Sequence, residues 1–252
     1  MERTDIQTEY GLVILLDVLG IKGIWRDQDP TKILKEWSFI TNSWESFVIE
    51  YGKKFGLITS FHVFSDTVIM TVTGELEKSF SDFSDMIHAI LHISIFEDFP
   101  VRGAISLGTF YQSEKMVIGP AIDECSQFYE LADSIGIIVA PSYHGFLERM
   151  SRDPNRRHDV DFDYIKSDIP IRDRKVLRNS FMVRIKGWTP VAEAITDKNP
   201  KIKTLEDLIH YKLEHLTSIE ASSKLKNTLE LIEKSKPLQK KISGISKKSQ
   251  NH

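Results

Sequence analysis

The sequence of 252 residues contains one cysteine, Cys125, so neither an intrachain disulfide nor a cysteine-based zinc cluster is expected. Long hydrophobic runs are missing as well, because the longest one, Leu12 to Ile21, is interrupted by Asp17. We therefore expect no membrane span and no signal peptide, which favours a cytoplasmic protein. A large excess of one charge is also absent. The formal net charge of −3 gives no overall basic field for nucleic-acid binding.

The composition is that of one ordinary globular domain with an appended segment, since 41% of the residues are hydrophobic and 27% are charged. We assign residues 1–190 to the main domain, with a charged surface insertion at about residues 151–178 that shows little hydrophobic periodicity. Residues 191–235 are predicted to form a C-terminal helical extension, and the lysine-rich residues 236–252 a flexible tail.

Hydrophobic patterning predicts the element order β-α-β-β-α-β, followed by a further β-α-β. Short apolar runs rich in β-branched and aromatic residues indicate the strands, and apolar residues spaced three and four apart indicate the helices. The first part of this order is the split βαβ plan of ferredoxin-like α+β domains, in which helices cover one face of an antiparallel sheet. The predicted strands are Leu12 to Leu19, Leu57 to Phe64, Thr67 to Thr73, Pro100 to Gly108, Phe110 to Ile118, Ile137 to Ala140 and Ser180 to Gly187. The first predicted helix follows Pro30, the second has its apolar stripe from Phe80 to Leu91, and the third has its stripe from Ala121 to Ala132. One or two more lie between Thr204 and about Ser235.

Two aspartates occupy positions where a charge is unusual. Asp17 lies inside a buried strand, and Asp66 lies at the tip of a hairpin. Burying a carboxylate is costly unless a cation compensates its charge. Taken singly, Asp17 is equally well explained as a structural acid that pairs with an arginine or caps a turn, and Asp66 as a turn residue. As a pair they have another explanation, because the first strand and the hairpin are neighbours in a β-α-β-β unit and can bring both acids to one site.

Two carboxylates without a nearby imidazole or thiolate suit Mg²⁺ or Mn²⁺ rather than zinc. A pair of such ions can activate a hydroxyl nucleophile and bind both the attacked phosphoryl group and its leaving group. The two acids therefore predict phosphoryl displacement at a site with two metal ions.

Four segments, in order along about residues 10–145, resemble the motifs of class III adenylate and guanylate cyclases. The first two resemble the metal-binding motifs of that family and contain the two aspartates. The third is similar to the strand that carries the family's triphosphate-contacting arginine, and the fourth resembles the helix and strand that complete the domain. These segments are Leu16 to Lys22, Ser65 to Val68, Val101 to Gly108 and Gly119 to Ser142.

The resemblance implies an enzyme that closes a nucleoside triphosphate into a 3′,5′-cyclic monophosphate with two Mg²⁺ or Mn²⁺ ions. Asp17 and Asp66 would bind both ions, with the Val18 carbonyl as a further ligand. Arg102 would neutralise charge on the phosphates. The alternative for Arg102 is a surface arginine beside Glu97 or Asp98. Further substrate contacts are expected from the backbone of Gly20, Ile21 and Lys22, and from His62, Phe64 and Asp123 around the base.

The chain departs from the purine cyclases at three positions. His62 stands where adenylate cyclases carry a base-reading lysine, and a satisfied core histidine is its alternative explanation. Asp123 and Gln127 stand where they carry an asparagine and a transition-state arginine. The missing arginine indicates a slow enzyme, another source of cation, or a site that no longer works. The candidates for another source are Arg174, Arg184 and Lys186.

Within this class the chain resembles the bacterial Pycsar pyrimidine cyclases most. That resemblance implies conversion of UTP or CTP into cyclic UMP or cyclic CMP in antiphage defence, with the product activating a separate effector protein. The class III resemblance implies a head-to-tail homodimer with active sites at the interface. The net charge and the interrupted hydrophobic runs predict no nucleic-acid and no membrane partner. The segments that carry it are Asp17 to Lys22, Phe64 to Val68, Val101 to Ile105, Ile118 to Ala121 and Lys226 to Leu229.

Three alternatives stay open. A purine cyclase uses the same metal-binding motifs. A catalytically silent cyclase-like domain, which binds a nucleotide or a partner, agrees with the missing transition-state arginine but gives no reason for two matched acids. A palm-type polymerase or diguanylate cyclase also places acids on a ferredoxin-like sheet, but the chain lacks the adjacent acidic pair that diguanylate cyclases carry on a hairpin.

Overall fold

The computed structural model describes residues 6–19, 29–97, 99–113, 116–184, 205–215 and 222–233. The first half of the chain forms β1 (Gln7–Val18), α1 (Pro30–Phe55), β2 (Ile58–Phe64), β3 (Thr67–Thr73), α2 (Phe80–Phe96) and β4 (Val101–Ser113). The second half forms β5 (Met116–Ile118), α3 (Pro120–Tyr129), β6 (Gly136–Val139), α4 (Pro141–Arg152), α5 (Arg157–Asp163), β7 (Tyr164–Ile171), β8 (Lys175–Val183), α6 (Leu205–His215) and α7 (residues 222–233). The predicted α+β class is confirmed, and so is the predicted order of elements as far as β6, whereas α4, α5 and β7 were not predicted.

The strands form one eight-stranded sheet in the order β2-β3-β1-β4-β6-β8-β7, with β5 paired to the end of β4. β1 lies between β3 and β4 and pairs antiparallel with both. β4 and β6 run parallel, which the expectation of a purely antiparallel sheet did not include. Because β1 is central and flanked on both sides, its aliphatic run is buried from Leu12 to Leu16.

Helices cover both faces of this sheet, which corrects the expectation that they cover one. Successive side chains of a strand point to opposite faces. Leu12, Ile14 and Leu16 belong to the core cluster that contains residues of α1, α2 and α4. Val13 and Leu15 belong to a smaller cluster with residues of α3. Asp17 continues the second series and therefore faces the side of α3.

Helix α1 shows how local signals define an element. The Asp29 side chain accepts a hydrogen bond from Thr31 N at 2.9 Å, and Pro30 occupies the first turn, where its missing N–H is no loss. The helix ends at Gly56, whose φ of 71° lies in the left-handed region. Its buried stripe, which includes Trp37 and Trp44, packs beneath β2 and α2.

Residues 151–178 are not the surface insertion predicted from their charge. They form α5 and contribute β7 and the start of β8 to the main sheet, and Val160, Tyr164 and Ile169 among them are buried. The predicted hairpin partner from Phe110 to Ile118 is also corrected. β4 continues through Phe110 to Ser113, and only the three residues of β5 return.

The C-terminal helices pack against the domain. In α7, Thr228 Oγ1 accepts a hydrogen bond from Ile135 N at 2.8 Å, and Asn227 Nδ2 donates to Asp133 O at 2.6 Å. These bonds fix α7 to the segment that leads into β6. The predicted lysine-rich tail, residues 236–252, lies outside the described residues. Among the described helices, none combines the length and the apolar character that crossing a membrane requires.

Candidate active site

Asp17 lies at the end of β1, directly opposite Arg102 of β4. Arg102 donates from Nε to Asp17 Oδ2 at 2.7 Å and from Nη2 to the same oxygen at 2.6 Å. The two side chains are only 9% and 14% exposed, respectively, so each charge compensates the other in a poorly solvated place. The alternative that Arg102 is a surface residue beside Glu97 or Asp98 is therefore wrong. The alternative that Asp17 pairs with an arginine describes the observed contact.

Asp66 lies beside this pair, in the tight turn between β2 and β3. Val18 N donates to the backbone oxygen of Asp66 at 3.0 Å, which joins the end of β1 to the hairpin tip. The left-handed backbone conformation of the turn belongs to Ser65, whose φ is 58°, and not to Asp66. Turn geometry therefore gives no reason for an aspartate at position 66.

The strand register places the site residues in one row on the face of α3. Phe64 pairs with Thr67, Thr67 with Asp17, and Asp17 with Arg102. Directly paired residues share a face and have Cβ atoms about 5 Å apart. Phe64 is 78% exposed at the outer end of this row, so its ring is open to a ligand or to another chain.

His62 lies two residues before Phe64 on β2, so it is on the same face, and it pairs with Ile69. Burial lowers the pKa of His62 below its usual 6.5, while the nearby Glu45 acts in the opposite direction. Its Nε2 is buried and has no hydrogen-bond partner among the described residues. Among the described residues, His62 is therefore not a core histidine with both ring nitrogens hydrogen-bonded.

Tyr129 lies at the end of α3 that leads to Ala132, whose carbonyl contacts Arg102, and it was not predicted from the sequence as a neighbour of the site. Its pKa is raised, first by burial, then by Glu130, and then by Asp17 and Asp66, while Arg102 acts in the opposite direction. Its hydroxyl therefore lies within electrostatic reach of both acids. No motif marks it, because an aromatic residue near a helix end ordinarily indicates core packing.

Asp123 is not brought to Asp17 within the chain. Near the start of α3, Ala121 O accepts a hydrogen bond from Ser106 Oγ at 2.7 Å, whereas just after its end Ala132 O accepts one from Arg102 Nη1 at 3.4 Å. The five residues of β4 from Arg102 to Ser106 span about 13 Å. Asp123 therefore lies near the far end of α3 from the acids, and both it and Gln127 are exposed.

The orientation of α3 is fixed by Glu124. Its Oε1 accepts a hydrogen bond from Ser142 N at 3.1 Å, its Oε2 accepts one from Ser142 Oγ, and Ser142 Oγ accepts one from Leu107 N at 2.9 Å. A carboxylate at the start of α4 is also favoured by the helix dipole. This connection holds α3, α4 and β4 together.

Of the basic residues considered as sources of a further cation, Arg184 is excluded within the chain. Its Nη2 donates to Asp161 O at 2.7 Å and to Tyr164 O at 3.1 Å, and the residue is 3% exposed. Burial lowers its pKa. The side chain of Arg174, the whole of Lys186, and the expected phosphate contacts Gly20, Ile21 and Lys22 lie outside the described residues.

A separate group of metal-ligating side chains lies on α2 and at the end of α5. Asp85, His88 and Asp163 have one ligand atom each within 4.8 Å of one another. His88 Nδ1 lies 3.9 Å from Asp163 Oδ1, and both side chains are buried. The helix α2 packs on the face opposite to α3, so this group is not part of the site at Asp17.

The donor atoms at Asp17 and Asp66 suit a hard divalent cation. They are carboxylate oxygens, with the Val18 backbone beside them, and Asp17 already holds a cationic partner in a poorly solvated place. Oxygen donors of this kind are the ligands that Mg²⁺ and Mn²⁺ prefer. The residues present therefore fit such an ion.

Neither a family model nor a curated protein sequence matches the chain. Solved structures do. The catalytic core of a rhodopsin-guanylyl cyclase with converted specificity, in complex with ATPαS, aligns with a TM-score of 0.50 at 10% identity, over 72% of this chain and 100% of that one. The adenylyl cyclase CyaB from P. aeruginosa aligns with a TM-score of 0.47 at 13% identity, over 71% of this chain and 96% of that one. The guanylate cyclase domain of RhGC from Catenaria anguillulae aligns with a TM-score of 0.47 at 11% identity, over 71% of this chain and 100% of that one.

The alignment with the rhodopsin-guanylyl cyclase extends over the whole of that catalytic core. The chain has the α+β fold of class III cyclase catalytic domains.

Proposed function

We propose that this chain is a nucleotide cyclase, which converts a nucleoside triphosphate into a 3′,5′-cyclic monophosphate and pyrophosphate. The observation that carries the proposal is the position of Asp17, at the end of a central strand and hydrogen-bonded through the next residue to the Asp66 turn. On a sheet of the cyclase fold, this puts two carboxylates on adjacent segments beside Arg102.

In this proposal Asp17, Asp66 and the Val18 carbonyl hold two Mg²⁺ or Mn²⁺ ions. Such ions lower the pKa of a ribose 3′-hydroxyl and stabilise charge on the phosphates and the departing pyrophosphate. Arg102 supplies a planar set of donors for phosphate oxygens. The backbone of Gly20, Ile21 and Lys22 adds N–H donors for the same phosphates.

The proposed base site lies on the α3 face, where Phe64 offers an exposed ring and His62 a buried nitrogen with a lone pair or proton to share. A planar base can stack on an aromatic ring whatever its identity. His62 would then supply the hydrogen bond that distinguishes one base from another, because its neutral ring can both donate and accept.

The proposed substrates are UTP or CTP, giving cyclic UMP or cyclic CMP. Support for a pyrimidine comes from the resemblance to Pycsar cyclases in the segments Asp17 to Lys22, Phe64 to Val68 and Val101 to Ile105. The same resemblance supports a role in antiphage defence in the cytoplasm, with the product activating a separate effector protein.

We further propose a head-to-tail homodimer with composite sites. Asp123 and Gln127 are exposed on α3 and lie away from the acids of their own chain. In a head-to-tail arrangement they would complete the site of the partner. The exposed ring of Phe64 lies on the same face of the sheet and would be covered there.

The test is product analysis. The purified protein is incubated separately with each ribonucleoside triphosphate and Mn²⁺, and the products are identified by mass. We expect a cyclic pyrimidine monophosphate and pyrophosphate. A cyclic purine product would keep the cyclase and reject the pyrimidine assignment.

The matched variants are Asp66→Ala and Glu77→Gln. Loss of the Asp66 carboxylate should lower the rate about a thousandfold or more, since metal stabilisation contributes several kcal/mol to such reactions. Glu77 is an exposed acid paired with Arg149 at 3.3 Å, and its variant should keep full activity. Near-normal turnover by a folded Asp66→Ala protein contradicts the role of Asp66.

A catalytically silent domain is the second candidate, and two observations favour it. Gln127 replaces the transition-state arginine, and Arg102 already compensates the charge of Asp17. Such a domain would bind a nucleoside triphosphate, measured by calorimetry, but form no cyclic product with any of the four.

A further inference from the structure

The contact between Arg102 and Asp17 uses only one of the two carboxylate oxygens. Both Nε and Nη2 donate to Oδ2, at 2.7 and 2.6 Å. Among the described residues, Oδ1 accepts no hydrogen bond. Within the part of the chain that the structure describes, one carboxylate oxygen is thus paired with a cation and the other has no hydrogen-bond donor.

A carboxylate that serves two metal ions offers one oxygen to each of them. Oδ2 of Asp17 cannot do so while two N–H groups point at it from less than 3 Å, because a guanidinium and a divalent cation would then repel each other across one oxygen. Oδ1 can take a first ion without disturbing Arg102. A second ion needs the place that the guanidinium occupies.

We propose that Arg102 is exchanged for the second divalent cation at Oδ2 of Asp17, and that the released guanidinium then binds the triphosphate. The inference rests on the proposed function and refines the role of Arg102 in it. It couples the two ligands of the site: loading of the second ion frees the phosphate-binding arginine, and a bound triphosphate holds the arginine away from Asp17.

The surroundings allow this movement. Beyond the ion pair, the guanidinium has one described hydrogen bond, from Nη1 to Ala132 O at a long 3.4 Å. The next position in the row, on β6, is Gly136, which has no side chain to confine it. Charge also remains balanced, because the carboxylate exchanges one cation for another and is never left alone in a poorly solvated place.

The exchange predicts competition between Arg102 and metal, which calorimetry can measure without any reaction. Mn²⁺ is titrated into the nucleotide-free wild-type protein and into Arg102→Met. Removal of the competing charge should tighten Mn²⁺ binding about tenfold or more, or add a second bound ion per chain. The control Arg149→Met removes an arginine from an exposed ion pair and should reproduce the wild-type isotherm. Equal isotherms for wild type and Arg102→Met, or no binding to Arg102→Met, overturn the exchange.

A second measurement covers the case that Arg102→Met does not fold. The Nε–Hε signal of Arg102 is followed by NMR in the wild-type protein and assigned by its loss in Arg102→Lys. Excess Mg²⁺ with inorganic tripolyphosphate should shift this signal, and tripolyphosphate alone should not. A signal that stays unchanged at saturation shows that the ion pair persists and rejects the exchange.

The failure of the exchange and that of the proposed function give different results. Wild-type protein that forms no cyclic product but shows the expected difference in Mn²⁺ binding keeps the exchange and loses the cyclase. A protein that cyclises nucleotides with equal isotherms keeps the cyclase and loses the exchange.

Discussion

The Asp17–Arg102 pair places two opposite charges in direct contact at the candidate site. Each charge is largely removed from water, and each is acceptable only because the other is present. The pair also explains why a charge can end a strand that is otherwise aliphatic. In the proposed function, the residue that binds metal is paired in this way with the residue that binds phosphate.

Truncation of one partner should therefore be costly. Arg102→Ala leaves a nearly buried carboxylate without a cation, and we expect a loss of about 3–5 kcal/mol in the free energy of unfolding. The double variant Asp17→Asn with Arg102→Met should recover much of this loss, because no charge remains to be compensated. Urea unfolding of the three proteins measures both effects. A single variant as stable as wild type contradicts the burial of this pair.

His62 should make the protein sensitive to acid. Its pKa is lowered by burial in the folded state, so the unfolded chain binds the proton more readily. The stabilising contribution is complete above the unfolded value of about 6.5 and is lost as the pH falls through the folded pKa. The unfolding free energy of wild type relative to His62→Gln should thus decline from pH 7.5 to pH 5. A difference that grows towards acid pH contradicts this.

At the scale of elements, the closeness of β1 and β4 positions the acids. Gly103 lies next to Arg102, and a Cβ there would meet the Leu15 backbone oxygen at 2.3 Å and Leu16 Cδ2 at 2.7 Å. Packing therefore explains why position 103, in the segment Val101 to Gly108, is a glycine. It lets two backbones approach directly beneath the site.

Gly103→Ala should separate these strands and displace Asp17 from Arg102. We expect a marked fall in the melting temperature and loss of the proposed cyclase activity, because the clash is with backbone and cannot be relieved by a rotamer change. Gly145→Ala is the matched control, since a Cβ at this position in α4 meets nothing within 4 Å. That control should stabilise the protein by about 0.5–1 kcal/mol. Equal melting temperatures for the two variants contradict the close approach.

At the scale of the whole molecule, the two ends of α3 lie at different distances from Asp17 and Asp66. The end with Tyr129 lies near the acids of its own chain, and Asp123 lies at the other end. If each site is shared between two chains, one chain contributes Asp66 to it and the other chain contributes Asp123.

Mixing tests this arrangement. Asp66→Ala and Asp123→Ala proteins should each be inactive or slow, yet a mixed dimer has one site with both defects and one with none. Random exchange of equal amounts should restore about a quarter of wild-type activity. The measurement is product formation after co-refolding, with each variant refolded alone as the reference. No recovery in a mixture that contains mixed dimers contradicts shared sites.

The sequence by itself determined the elements of the first half and the candidate acids. Aliphatic runs, helical spacing and the hairpin between Phe64 and Thr67 are local signals, and a carboxylate inside such a run is visible without coordinates. Charge density misled the prediction for residues 151–178, because the buried residues of α5 and β7 include the acid Asp163 and the period changes from helix to strand at Tyr164.

Only the tertiary structure decided which residues lie opposite one another. The pairing of Asp17 with Arg102, 85 positions apart in sequence, follows from the β1–β4 register, as does the row that ends in Phe64. The place of Tyr129 follows from the packing of α3 on the second face of the sheet. Periodicity defines which face of its own strand a residue occupies, but register and packing depend on contacts between distant segments, and these form only when the chain folds.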